Sequence, residues 1–184
     1  MVNSEAFLKE LTKDVSVDLS QAFDRNFESK SFFNQKWPAE KYANSRGSQL
    51  MRTGKLRRSL KSTDANGQIS WSSNMPYASM HNEGGEIKVT AKMKSFFWAM
   101  YYKASGGVVS SVKTKAAANT ARNKKLQGEA AKWRAMALMK VGTTMKIEQR
   151  QFIGWHPQVD VRIKKIVNSN LDVLNKEIIK TLKK

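Results

Sequence analysis

Two histidines, His81 and His156, and no cysteine at all are what this 184-residue chain offers for general-base, nucleophilic or soft-metal chemistry. His81 stands two residues before Glu83, a pairing from which a proton acceptor or a metal ligand can be built. No second histidine, cysteine or paired carboxylate lies at ligand spacing from it, so its expected role is structural. Gly-x-Ser-x-Gly, a glycine-rich loop before Lys-Ser/Thr and His-Glu-x-x-His are all missing. A magnesium-dependent nuclease needs clustered carboxylates, whereas here the acidic residues are densest along the N-terminal segment, where they are spaced as a solvated face. The sequence therefore predicts no catalytic residue, no metal, no cofactor and no enzymatic activity. The remaining chemistry is electrostatic. Thirty-three Lys and Arg against fifteen Asp and Glu give a net charge of +18. Residues 86–142 hold twelve basic and two acidic residues, net +10, while residues 1–45 are net −1. A field of that sign attracts polyanions. The run containing Lys113, Lys115, Arg122, Lys124 and Lys125 is thus the candidate element for facing DNA or an acidic partner.

The elements that must position these residues follow from periodicity. Leu8, Leu11, Val15, Leu19, Ala22 and Phe23 recur at helical spacing, which predicts a helix from Ser4, as N-cap, to about Glu28. Residues 29–49 lose periodicity, and Trp37-Pro38 with Asn44-Ser-Arg-Gly47 reads as a loop anchored by aromatic packing. Arg52 to Leu60 reads as a short basic helical turn in which Thr53 accepts backbone N–H groups and Leu56 and Leu60 share a face. A hairpin follows, with a strand from Ser59 to Thr63, a turn at Ala65-Asn66-Gly67 and a return over Gln68–Ser73, where Ile69 and Trp71 alternate with polar residues. Pro76 ends the pairing, Tyr77 and Met80 are expected to turn to the core, and Gly84-Gly85 permit a path that side chains would obstruct.

Beyond it, Glu86–Thr90 suits a short strand and Lys92–Lys103 an aromatic-faced helix carrying Met93, Phe96, Phe97, Met100 and Tyr101. Ala104 to Asn123 is small, polar and basic, which predicts a mobile loop or arm. Leu126, Ala130, Trp133 and Ala137 mark a helix to about Lys140. Thr144–Gln149 alternates as a strand, Phe152 and Trp155 flank a turn at Gly154, and His156-Pro157 opens a last helix. Its apolar stripe runs Val159, Ile163, Ile166, Leu171, Leu174, Ile178, Leu182, with Arg162 and the lysines facing out. The fold class is α+β: one domain over 1–184, a small antiparallel β-sheet packed by N- and C-terminal helices, with an inserted basic helical and loop segment at about 86–142. Forty per cent apolar residues, five Trp and eight Phe suffice for a core. The longest apolar-aromatic stretch, Phe96–Tyr102, is far below the ~20 residues of a membrane span. With no signal-peptide pattern at the N-terminus, a soluble protein made in the cytoplasm is expected.

The order Arg-Thr-Gly-x-Leu-x-x-Ser from Arg52, hairpin, then Pro-Tyr-Ala-x-x-His-Asn-x-Gly-Gly from Pro76 resembles the phage virion morphogenesis family, the tail-completion proteins of tailed bacteriophages. Lys-Met-Lys-x-Phe-Phe-Trp-Ala at Lys92–Ala99 and Arg-Gln-Phe-Ile-Gly at Arg150–Gly154 follow in the family's order. The resemblance spans roughly Leu50 to Gly154, and Arg52, Gly54, Leu56, His81, Gly84, Gly85, Phe152 and Gly154 fall on its pattern, as fold and interface positions. It implies a virion structural protein of the tail or neck, capping the tail or joining it to the head. The implied partners are other copies in a ring, with six as the natural number, the tail tube or terminator, head-tail connector proteins and double-stranded DNA in the lumen, without a membrane. A free basic nucleic-acid-binding protein is the alternative that the charge alone supports.

Overall fold

A computed structural model describes residues 4–39, 50–65, 67–112 and 115–183. The chain is α+β, with long helices at both ends of the described sequence and three antiparallel two-stranded ribbons between them. Helix α1 (Ser4–Ser29) and helix α6 (Pro157–Leu182) pack on one another. Ser4, expected as the N-cap, is already helical. Right after α1, strands β1 (Ser31–Phe32) and β2 (Gln35–Lys36) make a minimal hairpin in what the sequence presents as loop. Phe33 sits in its turn at φ 53°. Trp37 is buried, as an anchor should be; Asn44 to Gly47 lie outside the described residues.

Helix α2 (Lys55–Ser59) leads into strand β3 (Leu60–Ala65), which pairs with β4 (Gln68–Ser73) through the two-residue connection 66–67. Asn66 of that turn is outside the described residues; Gly67 has φ 75°. Burial alternates along β4, and its apolar side lies on α1. Trp71 meets Phe23 edge to face with centroids 5.2 Å apart, and its Nε1 donates to Ser20 Oγ at 2.9 Å. Helix α3 (Ala78–Glu83) follows. Ala78, not Tyr77, turns into the core, because Tyr77 occupies the N-cap of α3 and stays exposed.

The expected single sheet is replaced by separate ribbons. Strand β6 (Thr144–Ile147) pairs with β5 (Gly85–Lys88) and not with the β3–β4 hairpin. The reason lies in the insertion: chain leaving through β5 returns through β6, and the two strands satisfy each other at its root. Helices α4 (Ala91–Gly106) and α5 (Ala121–Leu138) between them form an antiparallel arm with its own core. Phe97 stacks on Trp133 at 5.9 Å. The arm's loop is shorter than the composition suggests, because α4 runs on to Gly106. The described part of the loop closes on Asn123, which is buried and bonds Val109 N and O and Ala118 O at 2.7–3.1 Å.

The body has two further cores along α1. Val15, Leu19, Phe23, Phe32 and Val159 form one; Phe27, Trp37, Leu56, Ala78 and Phe152 form the other. The C-terminal stripe is only half covered: Val159 is buried, yet Leu171, Ile178 and Leu182 are exposed, Leu182 by 80%. One helix, α1, can cover one side of α6 and no more. Arg162, expected to face solvent alone, reaches Asp18 of α1 at 3.0 Å.

Removing the Phe152 ring should cost about 3–5 kcal/mol, since the residue is 0% exposed. Leu182→Ala should stay within ~0.5 kcal/mol. Denaturant unfolding of the two variants checks this; similar losses would mean that the core is not centred on Phe152.

Candidate functional site

Two distant pieces of sequence, Pro76–Gly85 and Arg150–Gly154, are clamped together by backbone and amide groups. Arg150 N donates to His81 O at 2.7 Å. Asn82 Oδ1 accepts from both Phe152 N (3.0 Å) and Ile153 N (3.1 Å). From the other side Asn26 Nδ2 donates to Phe152 O at 3.1 Å, and Trp37 Nε1 donates to Gln151 O at 2.6 Å. An irregular segment passing through a core needs such partners, because an unpaired buried peptide group costs roughly 1–3 kcal/mol. Asn26 and Asn82 carry this job; Asn82 belongs to the His-Asn-x-Gly-Gly piece, but its side-chain role was not read from the sequence. For Asn26 the available signal is its helical position among the apolar residues of α1.

The family-pattern residues fall around this clamp. Leu56 and Phe152 are buried in the same core. Gly84 has φ 75°, and a Cβ there would stand 3.1 Å from Gln149 N and Ile147 O, so both conformation and the crossing of β6 require glycine. Gly54, also at positive φ, caps α2 and lies under the Arg58 guanidinium. Gly85 begins β5, and Gly154 lies in the turn before α6. Arg52 is exposed and, with His81, lines a concavity at the root of the arm.

His81 lies in the last turn of α3 with Tyr77 edge-on at 5.9 Å. Its pKa is held below the ordinary histidine value, first by burial and second by the Arg150 charge. Glu83 is exposed on the same short helix, with no contact between the two that would make an acid–base pair. His156 is far from His81 in role. It caps α6, with Nδ1 accepting from Gln158 N at 3.1 Å and Nε2 3.0 Å from Asn34 Oδ1, and its ring stacks on Phe33. Among the described residues no group of three or more His, Asp or Glu is placed to hold a metal ion. No described helix is long and apolar enough to cross a membrane.

The basic residues separate from this centre. Lys115 is exposed in the arm's loop, whereas Arg122, Lys124 and Lys125 lie on the first turns of α5 and not in a loop. Lys113 lies outside the described residues. Because α4 and α5 are antiparallel, Lys103 at the end of α4 belongs to the same tip. Cations at a helix N-terminus oppose its dipole, and the first turn of α5 has no acidic residue to offset them. Their charge thus works against helix stability.

For stability, a group whose folded pKa lies below its unfolded value contributes above the ordinary pKa of ~6.5 and loses that contribution as pH falls. Wild type should therefore lose more stability between about pH 7.5 and pH 5.5 than His81→Gln does. Thermal melts at the two pH values give the comparison; equal losses would contradict a neutral buried His81. Compared with models of known protein families, with curated proteins and with solved structures, the chain matches none.

Proposed function

We propose that this protein is a bacteriophage virion structural protein, a tail-completion or neck protein that caps the tail or joins it to the head as a ring around the DNA path. The observation that carries the reading is the ordered set of family-pattern pieces between Arg52 and Gly154. It is supported by where those pieces meet. Arg-Thr-Gly-x-Leu, Tyr-Ala-x-x-His-Asn-x-Gly-Gly and Arg-x-Phe-x-Gly converge on one clamp, in which His81 O, Asn82 Oδ1 and Leu56 receive the Arg150–Ile153 segment. A pattern built from fold positions would group in this way.

The role is one of surface complementarity and has no catalytic step. Apolar residues left uncovered on α6, Leu171, Ile178 and Leu182, are suited to contacts between copies or with tail proteins. A head-to-tail contact of this kind closes a ring when its rotation divides the circle. The arm tip, with Lys115, Arg122, Lys124 and Lys125, would face the DNA path or the acidic face of a neighbouring neck protein.

Light scattering after size exclusion, at low and high salt, tests the assembly. The reading expects a particle of several 20.8 kDa copies, six being the natural number, alone or on added tail tubes. A strict monomer under both conditions that binds duplex DNA tightly would overturn it in favour of a free nucleic-acid-binding protein. Gel shifts should show weak duplex binding that fades with salt. Replacing Arg122, Lys124 and Lys125 together by Ala should reduce the salt slope by about 3 if each meets a phosphate. An unchanged slope would remove the tip from the DNA path.

A further inference from the structure

The core shared by the two long helices stops well short of their ends. Its outermost members are Leu11 on α1 and Ile166 on α6. Both helices run on, α1 for two turns to Ser4 and α6 for about four turns to Leu182. They are antiparallel: Asp18 accepts from Arg162 and, one turn further out, Asp14 accepts from Asn170 at 3.2 Å. Similar lengths of helix remain beyond that last bond, from Asp14 out to Ser4 and from Asn170 out to Leu182.

This outer end is apolar on a side that nothing covers. On α6, Val167, Leu171, Leu174, Ile178 and Leu182 recur every three or four residues, in a row about a quarter turn round from Val159, Ile163 and Ile166 of the shared core. Leu171 is 41% exposed and Leu182 80%. On α1, Leu8 is 57% exposed although it stands two turns from the buried Val15 on the same side of the helix. Two helices cover only the sides that face each other, so a row set a quarter turn away stays wet until a further layer is added. Charge indicates that layer. The chain is +18 overall, yet residues 4–14 and 166–183 together carry five basic and five acidic side chains. Nucleic acid and anionic membranes are drawn to net positive faces and find no such face here. A second copy is repelled by the basic remainder of the surface but not by this end. Residues 4–14 are net −1 and residues 166–183 net +1. A two-fold axis that sets each α1 against the other copy's α6 therefore brings unlike charges together.

We propose that the outer ends of α1 and α6 are a dimer interface, at which two copies of the helix pair pack about a two-fold axis into a four-helix bundle. Leu8, Leu171, Leu174, Ile178 and Leu182 of each copy fill its core. The pairing does not depend on the virion role: it closes on itself at two copies, and a ring can be built of such pairs or without them. Because the contact buries apolar side chains and joins ends of no net charge, it persists at high salt, where contacts made by the arm's cations fade.

Sedimentation equilibrium of the full chain at high salt, over a concentration series, tests the pairing. The mass should rise with concentration from 20.8 kDa toward twice that value and stop there. Leu171→Glu combined with Leu182→Glu, both at exposed positions, should raise the dissociation constant about a hundredfold or more. The thermal melt of that variant at monomeric concentration should match wild type, which shows that the fold is intact. Val161→Glu, also at an exposed position of α6 but off the row, should leave the dimer unchanged. A wild type that stays monomeric throughout would leave the row to a different protein and overturn the proposal. So would a dimer that survives the double substitution, which would place the contact elsewhere. A larger particle that the double substitution dissolves would assign the row to a head-to-tail ring contact and overturn the two-fold pairing equally. All of this is read without tail tubes, on which a ring can still form when the pair fails.

Discussion

The body of this protein depends on how the irregular segment from Arg150 to Ile153 has its peptide groups satisfied inside a core. Phe152 must be buried to fill the space against Phe27 and Leu56, yet the chain carrying it is neither helix nor strand. Its donors and acceptors are met by His81 O, Asn82 Oδ1, Asn26 Nδ2 and Trp37 Nε1. Those four partners come from α1, the β1–β2 hairpin region and α3. The requirement to pair buried peptide groups thus ties together elements that make few other contacts.

The same requirement recurs at a smaller scale in the arm. Asn123 holds the ends of its loop through three hydrogen bonds, and Thr120 caps the helix on which Asn123 sits. The arm carries its own apolar core and a tip of uncompensated positive charge. It joins the body at its root, through the β5–β6 ribbon and the cleft beside it. The cations at the arm's tip thus stand apart from the clamp that holds the body together.

Ion pairs complete the frame without defining it. Arg57 bridges Asp24 and Glu28 of α1, the latter at 2.7 Å, and Arg162 reaches Asp18. All are partly exposed pairs, worth at most about 1 kcal/mol each. They align α2 and α6 along α1, while burial of Phe23, Phe27 and Phe152 supplies the greater part of the stabilisation.

The terminal helices, the β3–β4 hairpin, the α4 and α5 helices and the basic character of the insertion were legible in the sequence. Each is written in local periodicity or in turn residues such as Gly67, and local signals survive without knowledge of the rest of the chain. What only the tertiary structure decided is pairing over long separations. Whether β6 joins the hairpin or β5, which of several asparagines is buried, and how far α1 covers the C-terminal stripe depend on what lies opposite. Arg122, Lys124 and Lys125 were visible as charge, but their place on a helical turn was hidden by a polar composition that loops share. The cleft at the arm's root joins residues as far apart as Ala39 and Arg150, and periodicity carries no information about such a meeting.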